Sequence, residues 1–162
     1  MDKQIRSRLS LLNPVHFLAL GFGSGLAPKM PGTFGTLAAL PLVVLLSYYS
    51  SFNVYLLVTV LISLVGIWIC GKAADDMGVH DDSSIVWDEV AGMLFTMLAI
   101  PLSWQTLLTG FVLFRFFDIL KPWPISYLDK HVHGGFGIMI DDVLAGLFAC
   151  ACLHLCLVFG WL

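Results

Sequence analysis

The chain has 162 residues, 59% of them hydrophobic and only 12% charged, with a formal net charge of −3 and a mean hydropathy of +0.91. Soluble domains carry about 25% charge, so an ordinary water-soluble globule is excluded. Without a basic stripe, no nucleic acid is expected as a partner.

The length suits one domain, expected over residues 1–162 and embedded in the membrane. No Lys, Arg, Asp or Glu occurs between Lys29 and Lys72, between Glu89 and Arg115, or after Asp142. Runs of that length without charge read as membrane segments. Apart from Asp2, Lys3, Arg6 and Arg8 near the N-terminus, the charge is confined to three polar islands between them.

Residues 1–13 interleave Lys3, Arg6 and Arg8 with Ile5, Leu9, Leu11 and Leu12, the pattern of an amphipathic helix lying on a membrane surface. No apolar core with a cleavage site follows directly, so this is not a signal peptide. The first apolar run, 33–51, ends near Tyr48 and Tyr49, an interfacial pair. The second, 52–71, follows after a short uncharged turn, and the two make a helical hairpin. Residues 90–114 allow one tilted span, but Pro101 sits in the middle and proline breaks helices. The alternative is two shorter helices, about 84–100 and 103–120. The last run is 143–162. Its cysteines, Cys150, Cys152 and Cys156, lack paired C-x-x-C spacing, and with Cys70 they read as small apolar residues.

Orientation favours the broken pair. It gives five segments and collects every island at one end, leaving the opposite loops, 47–53 and 101–105, without Lys or Arg. The positive-inside rule then makes the charged end cytoplasmic. The expected fold class is all-α: a polytopic membrane helical bundle of about four to five membrane segments, plus the N-terminal interfacial helix.

The first island, 21–36, holds five glycines, two prolines and two threonines ahead of a helix. Glycine lets backbone approach a ligand, and Thr33 and Thr36 would cap the helix or hydrogen-bond a phosphate. The Walker pattern is absent. In the second island, Asp88 and Glu89 open an apolar helix. The helix dipole accounts for acids there, yet adjacent acids beside lipid are costly unless paired or metal-bound. The third island carries Arg115 and Asp118 at i, i+3 spacing on one helix face, Lys121 at that helix's end before Pro122, then Asp129. After a glycine-rich loop, Asp141-Asp142 open the last helix. His16 and His154 lie in apolar surroundings, and His131-x-His133 lacks a third ligand for a transition metal.

Capping explains each island by itself. Three loops delivering acids to one membrane face is harder to assign to capping. Hard oxygen ligands of this kind suit Mg²⁺, held by carboxylates together with a substrate phosphate. With bases beside them, the pattern points to metal-assisted phosphoryl chemistry on an amphiphilic substrate.

The islands resemble the phosphatidylglycerophosphatase A family. The resemblance is carried by 21–25 (GFGSG) with 31–37 (PGTFGTL), 85–92 (IVWDEVAG), 115–124 (RFFDILKPWP), Asp129, and 134–146 (GGFGIMIDDVLAG). It implies an Mg²⁺-dependent phosphatase of the bacterial inner membrane, active on the cytoplasmic face. The substrate would be phosphatidylglycerophosphate, cleaved to phosphatidylglycerol. On that reading Glu89, Asp118 and Asp142 are catalytic. Asp88, Glu89, Asp118, Asp141 and Asp142 are metal ligands, with Asp88 in a supporting role. Thr33, Thr36, Arg115 and Lys121 hold the phosphate. Attack by water is the leading mechanism, and a carboxylate nucleophile remains open.

Two other classes compete. A phospholipid headgroup phosphotransferase is also acid-rich, but its D-G-x-x-A-R pattern is missing. A cation carrier predicts acids in mid-span, where this chain has none.

Overall fold

The structure is a computed structural model and describes residues 9–79 and 82–162. Most of the expected surface helix over 1–13, and the loop groups His80 and Asp81, lie outside the described residues.

Asn13 caps a short helix α1, Pro14–Ala19, by accepting from Val15 N at 3.0 Å. A 3₁₀ segment, Gly21–Leu26, follows. Pro31 sits at the first position of α2, Pro31–Tyr49, where its missing N–H is no loss. Ser50 and Ser51 are extended and turn the chain into α3, Phe52–Met77, which ends on Gly78 in the left-handed conformation. Lys72, Asp75 and Asp76 therefore lie on α3, one to five residues beyond the expected end of the second run.

The region 84–120 is broken into α4, Trp87–Thr96, and α5, Trp104–Leu120. Pro101 precedes Ser103, whose side chain accepts from Thr106 N while the Thr106 hydroxyl answers the Ser103 backbone. A short helix α6, Ile125–His131, follows Pro122 and Pro124. The last helix, α7, spans Gly134–Val158. It begins two turns before Asp141, not at it as expected. The glycines of 134–137 belong to the helix because they permit close packing on α3: a Cβ on Gly135 would collide with the Ile67 carbonyl and stand 2.7 Å from Gly71 N.

Three helices, α2, α3 and α7, are long and apolar enough to cross a membrane. At 1.5 Å per residue, the ten residues of α4 reach only about 15 Å, short of the roughly 30 Å hydrocarbon core. α4 is nonetheless the axis of the bundle. Val90, Met93 and Leu94 are buried on it, packed with Ala39 and Val43 of α2, Phe114 of α5, and Ala145, Ala149 and Leu153 of α7. The outward faces are apolar: Leu57, Leu61, Leu64 and Trp68 on α3, and Leu108, Val112, Phe116 and Ile119 on α5, are all exposed. Tyr48, Tyr49, Trp104 and Trp161 are exposed at the uncharged end, where interfacial aromatics belong.

A helix ending inside a bundle leaves carbonyls without partners. Here the Tyr55 hydroxyl donates to Leu94 O at 2.9 Å, and His154 Nε2 donates to Leu98 O at 3.2 Å. Cys150 Sγ also donates to Leu98 O, at 3.5 Å. The two residues read from sequence as simply apolar-surrounded, His154 and Cys150, thus finish α4.

Candidate active site at the charged end of the bundle

Four elements meet at the charged end: the first turn of α4, the last turn of α5, α6, and the first half of α7. They enclose a cleft of about 260 Å³. Its walls include Asp88 and Glu89 from α4, Asp118 and Lys121 from α5 and its cap, and Asp129 from α6. His133, Gly137, Asp141 and Asp142 complete it from the α7 side, with Ser83 at the rim. The helix period explains the last set, since residues 137 and 141, four apart, share a face of α7.

Asp88, Glu89 and Asp142 each offer one oxygen within 4.8 Å of the others. Among the described residues they are the one group of three or more His, Cys, Asp or Glu placed to hold a metal ion. Glu89 and Asp142 are buried. Glu89 Oε2 has no hydrogen-bond partner among the described residues, and an orphaned buried carboxylate oxygen is costly unless something else occupies it.

The remaining carboxylates are engaged by bases. Arg115 Nη1 lies 2.6 Å from Asp118 Oδ2 and 3.7 Å from Glu89 Oε1, so the i, i+3 pair read from the sequence forms. Lys121 Nζ bridges Asp129 Oδ1 and Asp141 Oδ2, each at 2.5 Å. Burial works against the charge of Lys121, but its hydrogen bonds to Asp129 and Asp141, and their charges, outweigh it. They hold the ammonium above the ordinary lysine range. Lys121 adopts a left-handed backbone, φ 41°, as the cap of α5. That turn aims its side chain back along the acids.

The threonines of the first island sit behind the cleft, and neither is among its walls. Thr36 is buried, donates to Gly32 O at 2.9 Å, and accepts from Arg115 Nη1 at 3.5 Å. Thr33 is half-buried in the first turn of α2, its N–H bonded to Met30 O. The island's contact with the site is Gly32. A Cβ there would collide with Glu89 Oε1 and stand 3.1 Å from both Nη atoms of Arg115. The glycine is needed for close approach of α2 to the acid-base pair.

Asp129 and His133 also line the cleft, although no role there was read from the sequence. Asp129 is brought in by the unforeseen α6, and its spacing from Lys121 carries no recognisable period. His131 turns away: its Nδ1 donates to Tyr127 O at 2.7 Å and its ring stacks on Tyr127. His16 is buried and ties α1 to α3, its Nε2 lying 3.1 Å from Asp76 Oδ2, with Lys72 also paired to Asp76.

Fold and site together define a polytopic helical membrane protein with a carboxylate-lined cleft, partly balanced by Arg and Lys, at one end of its spans. The family model of phosphatidylglycerophosphatase A matches residues 17–157. The chain is 50% identical over 150 residues to phosphatidylglycerophosphatase A of Escherichia coli (strain K12), covering 92% of this chain and 87% of that one. It is 54% identical over 143 residues to the protein of the same name from Haemophilus influenzae, covering 88% of each. No solved structure matches. The chain belongs to the phosphatidylglycerophosphatase A family, and it is a bacterial membrane protein.

Proposed function

We infer that this protein removes the terminal phosphate of phosphatidylglycerophosphate, giving phosphatidylglycerol and inorganic phosphate in phospholipid synthesis. Family membership across 17–157 supports the substrate. The observation that carries the chemistry is the carboxylate group Asp88, Glu89 and Asp142 in a cleft with Lys121 and Arg115 beside it.

The donors fit a hard dication such as Mg²⁺. All are carboxylate oxygens, they lie within 4.8 Å of one another, and Glu89 Oε2 is buried without another partner among the described residues. Charge argues the same way. Six carboxylates and one lysine line the cleft, and a phosphate dianion would be repelled until that excess is offset. Mg²⁺ bound by Asp88, Glu89 and Asp142 would supply that neutralisation and polarise the phosphoryl oxygens.

The chain's own groups then divide the remaining work. Lys121 and Arg115 offer N–H donors to the phosphate oxygens. Arg115 occupies Asp118 Oδ2, leaving Oδ1 to accept the proton of the attacking water as general base. The water oxygen bonds to phosphorus, the phosphorus–oxygen bond to the glycerol breaks, and the glycerol oxygen leaves with the proton that Asp118 took from the water. Asp141 and Asp129 hold Lys121 at the cleft wall. Thr36 supports Arg115 from behind.

The charged end is assigned to the cytoplasm because Lys29, Lys72, Arg115, Lys121 and Lys130 lie towards it and the loops 47–53 and 101–105 contain no basic residue. The deciding experiment is phosphate release from phosphatidylglycerophosphate by purified protein in detergent, with Mg²⁺ and then with excess EDTA. Release that EDTA abolishes supports both substrate and metal. Release indifferent to EDTA removes the metal assignment. No release from folded protein removes the phosphatase.

A further inference from the structure

A second cavity, of about 230 Å³, adjoins the acid cleft. It is walled by Gly25, Ala27, Pro28 and Pro31 from the first island and by Ser83 and Ser84 from the loop before α4. Ser83 is a wall of both cavities, so the two are neighbours. Their chemistry is opposite. The first is lined by six carboxylates, whereas among the described residues no acidic side chain lines the second.

We propose that this second cavity is the binding subsite for the inner phosphodiester and its glycerol, the part of the substrate between the cleaved phosphate and the acyl chains. The proposal rests on the phosphatase reading above. A phospholipid whose headgroup carries a terminal phosphomonoester has two anionic groups separated by one glycerol. The monoester belongs where carboxylates and bases meet. The diester is a permanent anion and no bond to it changes, so it needs a neighbouring place whose walls carry no acid. The second cavity is that place: Asp82, whose Oδ1 is engaged by the Ser84 N–H and hydroxyl, does not line it.

Two further features agree. Lys29 stands in the chain between the cavity walls Pro28 and Pro31, is exposed, and has no ion pair among the described residues. It is available to a diester. Met30 at the cap of α2, and Phe34 and Leu37 on it, are exposed at the spacing of one helical face, so an apolar surface runs from the cavity along α2 for the acyl chains. Terminal phosphate, glycerol, diester and diacylglycerol thus meet the acid cleft, Ser83, the second cavity and α2 in the substrate's own order.

The test uses full-length protein in mixed micelles, comparing wild type with Ala27→Phe, which fills the cavity, and Lys29→Ala, which removes the cation. Three quantities are read for each: kcat and KM for phosphatidylglycerophosphate, the inhibition constant of inorganic phosphate, and that of glycerophosphoglycerol, a soluble diester without acyl chains. Glycerophosphoglycerol should compete in wild type. Both variants should raise KM and weaken that competition by about tenfold, with kcat and phosphate inhibition retained, the signature of lost ground-state binding. Unchanged KM in both variants would overturn the proposal. So would a parallel loss of kcat and phosphate inhibition, or a wild type indifferent to glycerophosphoglycerol. A wild type that releases no phosphate at all would sink the phosphatase reading itself, and that result is distinct from any change in the variants alone.

Discussion

Gly32→Ala probes how the first island serves the site. Gly32 is buried at the start of α2, and a Cβ there would lie well inside 3.0 Å of Glu89 Oε1 and 3.1 Å from both terminal nitrogens of Arg115. Neither neighbour yields easily. Glu89 is buried, and Arg115 is held by Asp118 at 2.6 Å. To regain an ordinary contact the carboxylate must retreat by about 1 Å, and a displacement of that size in a reacting constellation costs about a hundredfold in rate. Overpacking of this kind also costs about 1–3 kcal/mol of stability. Phosphate release and thermal unfolding in detergent, each measured across a Mg²⁺ titration, separate the two effects. The expected result is folded protein with about hundredfold lower kcat and a higher Mg²⁺ requirement. Gly71→Ala is the comparison, since its Cβ would meet Gly135 only at 3.4 Å, an ordinary contact. A Gly32→Ala protein with full activity and unchanged Mg²⁺ dependence would refute the role given to this glycine and weaken that given to Glu89.

Three other outcomes are expected. Asp142→Asn should abolish phosphate release while leaving membrane insertion intact, read by activity and by membrane fractionation; full activity would remove Asp142 from the site. Tyr55→Phe leaves Leu94 O without its 2.9 Å donor and should cost about 1–3 kcal/mol in detergent unfolding, with activity per folded molecule retained. Lys121→Met should destabilise equally at about pH 6 and about pH 9. Because the pKa of Lys121 is raised by folding, the contribution of its ion pairs is complete below the unfolded lysine value of about 10.4. It is lost only as pH rises through the higher folded value. A loss of the Lys121→Met penalty between those two pH values would contradict the pairing with Asp129 and Asp141.

The helical membrane architecture was legible because charge-free runs report lipid directly, and Pro101 marked the break between α4 and α5. Arg115 and Asp118 were legible as a pair because i, i+3 spacing is fixed by the helix. The role of the glycines was misread. In 134–137 they looked like a loop, but they lie on α7 where it presses on α3 at Gly71. Periodicity cannot distinguish a glycine that bends the chain from one that lets two helices touch. The placement of the threonines was not legible for a related reason. Thr36 faces inward on α2 and bonds Gly32 O, and a helix start reveals nothing of which neighbour it will meet. Asp129 needed α6, whose seven residues are too few for a periodic signal.

The same close approach explains why the metal-type carboxylates converge although they come from distant segments. α4 and α7 cross with their backbones in contact. A Cβ on Gly146 would collide with Gly92 O, and one on Gly92 would stand 2.8 Å from Asp142 O and press on the Phe114 ring. Asp88 and Glu89 lie one turn before Gly92, and Asp142 one turn before Gly146. Once the glycines fix the crossing, these carboxylates must face one another at the charged end. Their mutual repulsion opposes that arrangement. It is held by burial of Val90, Met93, Leu94 and Leu153 below the crossing, and by the polar groups of Tyr55 and His154 that complete the short α4. Apolar packing thus brings together acids that would otherwise separate, and a cation can recover the electrostatic cost. The brevity of α4 follows from this. A helix that had to span the membrane would be placed by its lipid boundaries, whereas α4, buried on nearly every face, is placed by its contacts with α7.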